Sequence, residues 1–137
     1  MTKSISGCVL TPNGWVRGTL RFDTRIAALE GRSVAAPEAG EARILPGFID
    51  LHVHGGGGRD VMEGGDAIDV IARLHASHGT TSLLATTMTD TRQRIEHALT
   101  GIRRVIDARP AGTSRVLGVH LEGPFISARR LGAQPPE

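Results

Sequence analysis

The sequence predicts an α/β fold, and three observations carry that prediction. Residues 44–54 form a mostly apolar run that turns polar at its end, as strands of parallel sheets do when functional groups sit at their carboxyl termini. From there to residue 121 the periodicity alternates: strand, helix, strand, helix, strand. Residues 1–45, by contrast, carry the two-residue alternation and turn signals of β structure. At 137 residues the chain has about the length of one ordinary domain, and 39% hydrophobic against 22% charged residues suits a folded core.

In the amino-terminal part, residues 4–10 are the first strand candidate. They are closed by Thr11-Pro12-Asn13-Gly14, where Asn-Gly tolerates the positive φ of a tight reversal. Residues 15–23 alternate, with Trp15, Arg17, Thr19 and Arg21 on one face and Val16, Leu20 and Phe22 on the other, as a half-buried strand does. Residues 25–29 form a further strand, and residues 31–41, rich in Gly, Ala, Pro and Glu, read as a loop. So short a β segment buries little area and needs a partner surface.

In the second part, residues 44–54 precede four glycines, Gly55 to Gly58. Over residues 66–78, Ile68, Ile71 and Leu74 share a helical stripe with Val70 beside it; Asp66 is the expected N-cap and Gly79 the expected C′ residue. Residues 80–87 form a second strand. Residues 91–108 form a second helix, with Ile95, Leu99, Ile102 and Ile106 at spacings of three and four and Pro110 just beyond its end. Residues 115–121 form a third strand that ends at Glu122-Gly123-Pro124. This order predicts right-handed parallel βαβ units, either of an open sheet or of the start of a barrel, and a complete eight-unit barrel takes about 250 residues.

Composition excludes several function classes. Sixteen basic against 14 acidic residues leave a formal charge of +2, too little for a nucleic-acid footprint, and Lys3 is the one lysine among scattered arginines. One Trp, three Phe and no Tyr make no stacking platform for a single strand. The lone Cys8 excludes an internal disulfide framework and reads as a buried small hydrophobe rather than a nucleophile. No apolar run approaches the ~20 residues of a membrane span, and the amino terminus carries no signal-peptide apolar stretch. The expectation is a cytoplasmic chain with no nucleic-acid and no membrane partner.

His52 and His54, spaced i, i+2 on a strand, project to one face and bring two imidazoles within a few ångströms, a donor pair that suits a transition metal. Asp50 shares that face, and the glycines after it let backbone approach a ligand closely. Glu122 places a carboxylate at the end of the third strand, so two strand ends of three carry metal-type ligands. His120 shares a face with Glu122 and stands either behind it or packed in the strand. His75, His78 and His97 fall on the predicted helices as surface or helix-end residues. Asp60 and Glu63 read as solvated loop acids, and Arg129-Arg130 as a solvated pair that would otherwise attract a sugar phosphate.

The segment from Pro46 to Gly55, Pro-Gly-Phe-Ile-Asp-Leu-His-Val-His-Gly, resembles the first-strand signature of the amidohydrolase superfamily. Residues 118–125, Gly-Val-His-Leu-Glu-Gly-Pro-Phe, with Gly132-Ala133-Gln134 after them and Gly79-Thr80-Thr81-Ser82 before, resemble more specifically the N-acetylglucosamine-6-phosphate deacetylase family. The resemblance implies the first three βα units of a (β/α)8 TIM-type barrel over residues 46–137, preceded over residues 1–45 by part of a small β-sandwich domain, both incomplete. It implies metal ligation by Glu122, with His52 and His54 at a second, more buried metal position, and sugar contacts at Ala133 and Gln134. Relatives vary between His and Gln at the position of Gln134. The implied cofactor is a divalent metal, foremost zinc, with iron, cobalt or manganese as alternatives; the implied partner is a small amino-sugar phosphate, and the complete protein is expected to be a homodimer.

The implied reaction is hydrolysis of the acetamide of N-acetylglucosamine 6-phosphate to glucosamine 6-phosphate and acetate. The acid/base aspartate and two later histidine ligands that it implies have no counterpart in residues 1–137, so no catalytic residue is assigned within the chain and the chain alone is expected to be inactive. The alternatives are another amidohydrolase acting on a cyclic amide or N-acyl compound, and a truncated, non-catalytic chain that depends on a partner.

Overall fold

The computed structural model describes residues 1–136; Glu137, which closes the second segment drawn from the sequence, lies outside the described residues. The chain divides into two compact units, Met1–Pro46 and Gly47–Glu137.

The first unit is one four-stranded sheet among the described residues. Its strands are β1 (Lys3–Thr11), β2 (Gly14–Phe22), β3 (Ile26–Val34) and β4 (Arg43–Ile44), in the order β3-β2-β1-β4. The first three pair antiparallel and β4 lies parallel to β1. Gly14 turns the first hairpin at φ 105°. β3 runs on to Val34, through residues expected to form a loop. The reason is a cross-strand glycine pair: Gly31 stands opposite Gly18, and a Cβ on Gly18 would lie 2.7 Å from the Cα of Gly31. Glycine serves close backbone approach here, not a turn.

Cys8 is fully buried, and burial pushes its thiol pKa up, so it packs as a hydrophobe and does not ionise readily. Arg17 pins the segment before β4: its Nε donates to Glu41 Oε1 at 2.6 Å, and its NH1 lies 2.8 Å from Glu38 Oε1. This hydrogen bond, with that from the Glu38 N–H, holds the Glu41 carboxyl below its ordinary pKa. Leu10, Ile26, Leu29 and Ile44 line an open apolar groove of about 390 Å³ on this unit.

The strand expected to run unbroken over residues 44–54 is split. Arg43–Ile44 joins the first sheet, and Pro46-Gly47 intervenes before β5 (Phe48–Val53), proline having no N–H to give a ladder. The second unit continues with β6 (Gly55–Gly56), β7 (Arg59–Asp60), a 3-10 turn at Val61–Glu63, α1 (Ala67–Ser77), β8 (Thr80–Thr86), α2 (Arg92–Ala108) and β9 (Arg115–His120). β5, β8 and β9 form a parallel sheet in that order, so consecutive strands are neighbours. Its core joins Val53, Leu83, Ala85 and Val116 to Ile68, Ile71, Ile102 and Val105 of the helices.

Helix ends follow the sequence. Gly79 takes φ 87° after α1, and Thr91 caps α2 through the Arg94 N–H. Asp66 occupies the N-cap of α1, but its side chain makes no capping bond; Arg59 NH2 claims it at 2.9 Å. β5 is not covered on both faces, although an apolar run of this kind is typical of buried parallel strands. Phe48, Ile49 and Leu51 are 67%, 64% and 58% exposed, because β5 is an end strand and the helices pack elsewhere, α1 on β6, β7 and β8 and α2 on β9. No helix is long and apolar enough to cross a membrane.

Gly18→Ala is expected to cost about 1–3 kcal/mol, since the added methyl meets backbone that cannot yield, and urea unfolding of the chain measures it. A group whose carboxyl pKa is lowered by folding stabilises above the ordinary carboxylate range and loses that contribution as pH falls through the lowered value. The urea midpoint of the first unit should therefore fall less on acidification in Glu41→Gln than in the wild type.

Candidate metal centre

The chain reverses just past β5, and this presents the two histidines together. Asp50 Oδ1 accepts the His52 N–H at 3.1 Å, and Thr86 Oγ1 accepts the N–H of Val53, the residue between the imidazoles, at 2.9 Å. His54 O takes the Val61 N–H at 2.7 Å, and His75 Nε2 donates to Gly55 O at 3.2 Å, so the glycine-rich reversal is anchored on both sides. The side-chain nitrogens His52 Nε2 and His54 Nε2 then lie 3.0 Å apart.

Glu122 reaches the same point from the end of β9. Its Oε2 is 3.1 Å from His52 Nε2 and 3.3 Å from His54 Nε2. These contacts are close without hydrogen-bond alignment: Oε2 is buried and has no hydrogen-bond partner, and neither has His54 Nδ1. The Glu122 main chain is held by Thr87, whose Oγ1 accepts its N–H at 3.1 Å. The Glu122 side chain is held by Gln134, whose Nε2 donates to Oε1 at 2.6 Å.

The three residues fit a metal ion. Ligand atoms about 2.0–2.1 Å from a tetrahedral ion stand about 3.3–3.4 Å from one another, close to the separations of 3.0, 3.1 and 3.3 Å found here. A buried carboxylate oxygen left without a donor, facing two imidazole nitrogens, is what a cation would satisfy.

The other candidates fall into structural tasks. His120 stands behind the cluster, its ring edge-on to His52 at 4.7 Å between centroids, and its Nδ1 donates to Leu51 O at 3.3 Å. Asp60 and Glu63 are not free loop acids. They form a reciprocal capping box on the 3-10 turn, and Arg59 holds the Glu63 carboxyl below its ordinary pKa. His97 donates to Glu63 O at 3.0 Å, and His78 is exposed at the end of α1. Arg129 and Arg130 are exposed and form no ion pair among the described residues. Ala133 is exposed beside the buried Gln134.

Sequence reading missed Thr86, Thr87 and Thr89, which are buried and tie both ligand-bearing segments to β8. The signal available was a threonine-rich strand end, Thr86-Thr87-Met88-Thr89, where apolar residues would continue an ordinary core strand.

No family model matches the chain. It is 40% identical over 109 residues to an N-acetylglucosamine-6-phosphate deacetylase of Bacillus subtilis, covering 77% of this chain and 27% of that protein. It is 39% identical over 132 residues to an N-acetylgalactosamine-6-phosphate deacetylase of Escherichia coli O157:H7, covering 94% and 35%. The solved N-acetylglucosamine-6-phosphate deacetylase of Thermotoga maritima superposes with a TM-score of 0.80 at 31% identity, over 97% of this chain and 35% of that one.

The chain matches the amino-terminal third of N-acetylglucosamine-6-phosphate deacetylases.

The deacetylase of Mycobacterium smegmatis superposes with a TM-score of 0.70 at 32% identity, over 97% of this chain and 38% of that one. A mutant of that deacetylase was solved in complex with N-acetyl-D-glucosamine-6-phosphate and superposes with a TM-score of 0.67. The chain thus spans about a third of the length of the deacetylases it matches.

Thr86→Val keeps the shape of the side chain but leaves the Val53 N–H without an acceptor. It is expected to cost about 1–3 kcal/mol in urea unfolding and to weaken Zn2+ binding in a chelator competition.

Proposed function

We propose that this chain supplies part of the site of a metal-dependent deacetylase. The complete protein would act on N-acetylglucosamine 6-phosphate to give glucosamine 6-phosphate and acetate. The observation that carries the reading is the convergence of His52 Nε2, His54 Nε2 and the unpartnered Glu122 Oε2 at the carboxyl ends of two parallel strands. In this reading residues 1–45 are part of a small β-sandwich domain and residues 46–137 the first three units of a (β/α)8 barrel, whose chemistry belongs at that end.

The donor set of two imidazoles and one carboxylate suits zinc, and iron, cobalt or manganese accept the same donors. A divalent ion held there supplies Lewis acidity to an amide carbonyl and makes water a competent nucleophile near neutral pH. The chain's own residues prepare for it. Glu122 brings the one negative charge, His52 and His54 bring neutral nitrogen donors, and the hydrogen bonds from Asp50, Thr86 and Thr87 fix the backbone that carries them. Ala133 and Gln134 are the residues of this chain that would lie against the sugar. The aspartate that moves the proton to the departing amine, and further histidine ligands, would come from outside residues 1–137. A cytoplasmic homodimer is the proposed working form.

A second reading concerns the sugar. The Escherichia coli relative is named for N-acetylgalactosamine 6-phosphate, so the epimer is a rival substrate for the same chemistry. Comparing kcat/KM of the complete protein on the two sugar phosphates, with hydantoin and dihydroorotate beside them, decides among these and the cyclic-amide alternative.

Glu122→Gln in the complete protein is expected to lower kcat/KM by at least about 100-fold together with loss of bound metal, read by acetate release and metal analysis. The 137-residue chain with added Zn2+ is expected to release no acetate; turnover by it would sink the assignment of the missing groups.

A further inference from the structure

Gln134 is 9% exposed, and both ends of its amide are engaged. Its Oε1 accepts the Thr89 N–H at 2.7 Å. A backbone N–H can only donate, so the amide must show its oxygen to Thr89 and its NH2 to Glu122, whose Oε1 lies 2.6 Å away. The two carboxylate oxygens of Glu122 therefore differ. Oε1 is taken, while Oε2 is bare and faces the two imidazoles at 3.1 and 3.3 Å.

The chain path that delivers this amide is itself constrained. Gly123, directly after Glu122, turns at φ 84°, and a Cβ there would press on Thr89 Oγ1 and stand 2.9 Å from Gln134 Oε1. Thr89 Oγ1 donates to Gly123 O at 2.8 Å, and the Gln134 N–H donates to Leu131 O at 3.0 Å, which folds the segment back over the carboxylate.

We propose that Gln134 is a positioning residue for Glu122: by holding Oε1 it leaves Oε2 as the sole oxygen offered to a divalent cation, so the carboxylate binds through one atom. The proposal rests on the metal reading above. It assigns the Gln134 side chain to the ligand and leaves its main chain free to face substrate. A carboxylate with both oxygens free can chelate and so raise the coordination number; one oxygen held back keeps a place open on the ion.

The test is Zn2+ affinity by chelator competition and the visible absorption of bound Co2+, on the full 137-residue chain and its variants. Gln134→Met fills the same space and removes the donor. It is expected to weaken Zn2+ binding about 10- to 100-fold and to lower the Co2+ band intensity, as expected when both carboxylate oxygens coordinate. Gln134→Glu keeps an acceptor for the Thr89 N–H and so holds the segment, while its second oxygen no longer donates to Glu122 Oε1; it should lower the Co2+ band intensity as Gln134→Met does, which separates loss of the donor from loss of the fold. Wild-type affinity and an unchanged Co2+ spectrum in a folded variant of either kind overturn the positioning role. A wild-type chain, folded by circular dichroism, that takes up neither ion overturns the metal reading itself, and the positioning role with it.

Discussion

The geometry of the cluster depends on three hydroxyls of a strand that contributes no ligand. Thr86, Thr87 and Thr89 are buried at the carboxyl end of β8, the middle strand of the parallel sheet. The Thr86 hydroxyl grips the peptide between the two imidazoles, that of Thr87 the peptide of Glu122 and that of Thr89 the carbonyl of Gly123, while the Thr89 main-chain N–H donates to the Gln134 side chain. A buried hydroxyl or N–H without a partner costs about 1–3 kcal/mol, so burial makes each of these bonds obligatory. Strand pairing ends where the ladder ends, and the threonines carry the register a few residues further, to the points where the side chains must meet.

Charge is used sparingly around that point. Arg59 occupies Glu63 and Asp66 and lowers the pKa of both. Asp50 is bound to the His52 N–H. Glu122 is thus the carboxylate that faces the imidazoles. Other histidines hold backbone instead: His75 and His97 each donate to a carbonyl near the glycine-rich reversal.

Much of this was legible in the residues, and the rest was hidden for identifiable reasons. Parity alone put His52 and His54 on one face, and a carboxylate before Gly-Pro marked Glu122 as a strand-end group; the structure brings these three together. Helix periods located α1 and α2 to within a residue or two. Gly31 misled because glycine signals both turns and close strand approach, and its partner Gly18 lies on another strand. Asp66 is the N-cap that position predicted, but the sequence does not show that Arg59, seven residues earlier, takes its carboxylate and leaves the helix without a side-chain cap. The threonines were invisible as site residues because β-branched side chains are ordinary in strands, and nothing local reveals which hydroxyl meets a distant backbone.

The exposed flank of β5 has a bearing on self-association. Phe48, Ile49 and Leu51 stand open along a strand whose outer rim has no ladder partner among the described residues. An uncapped apolar rim of this kind is a template on which a second copy of the same strand could zip, so this flank is where self-association of the chain would begin.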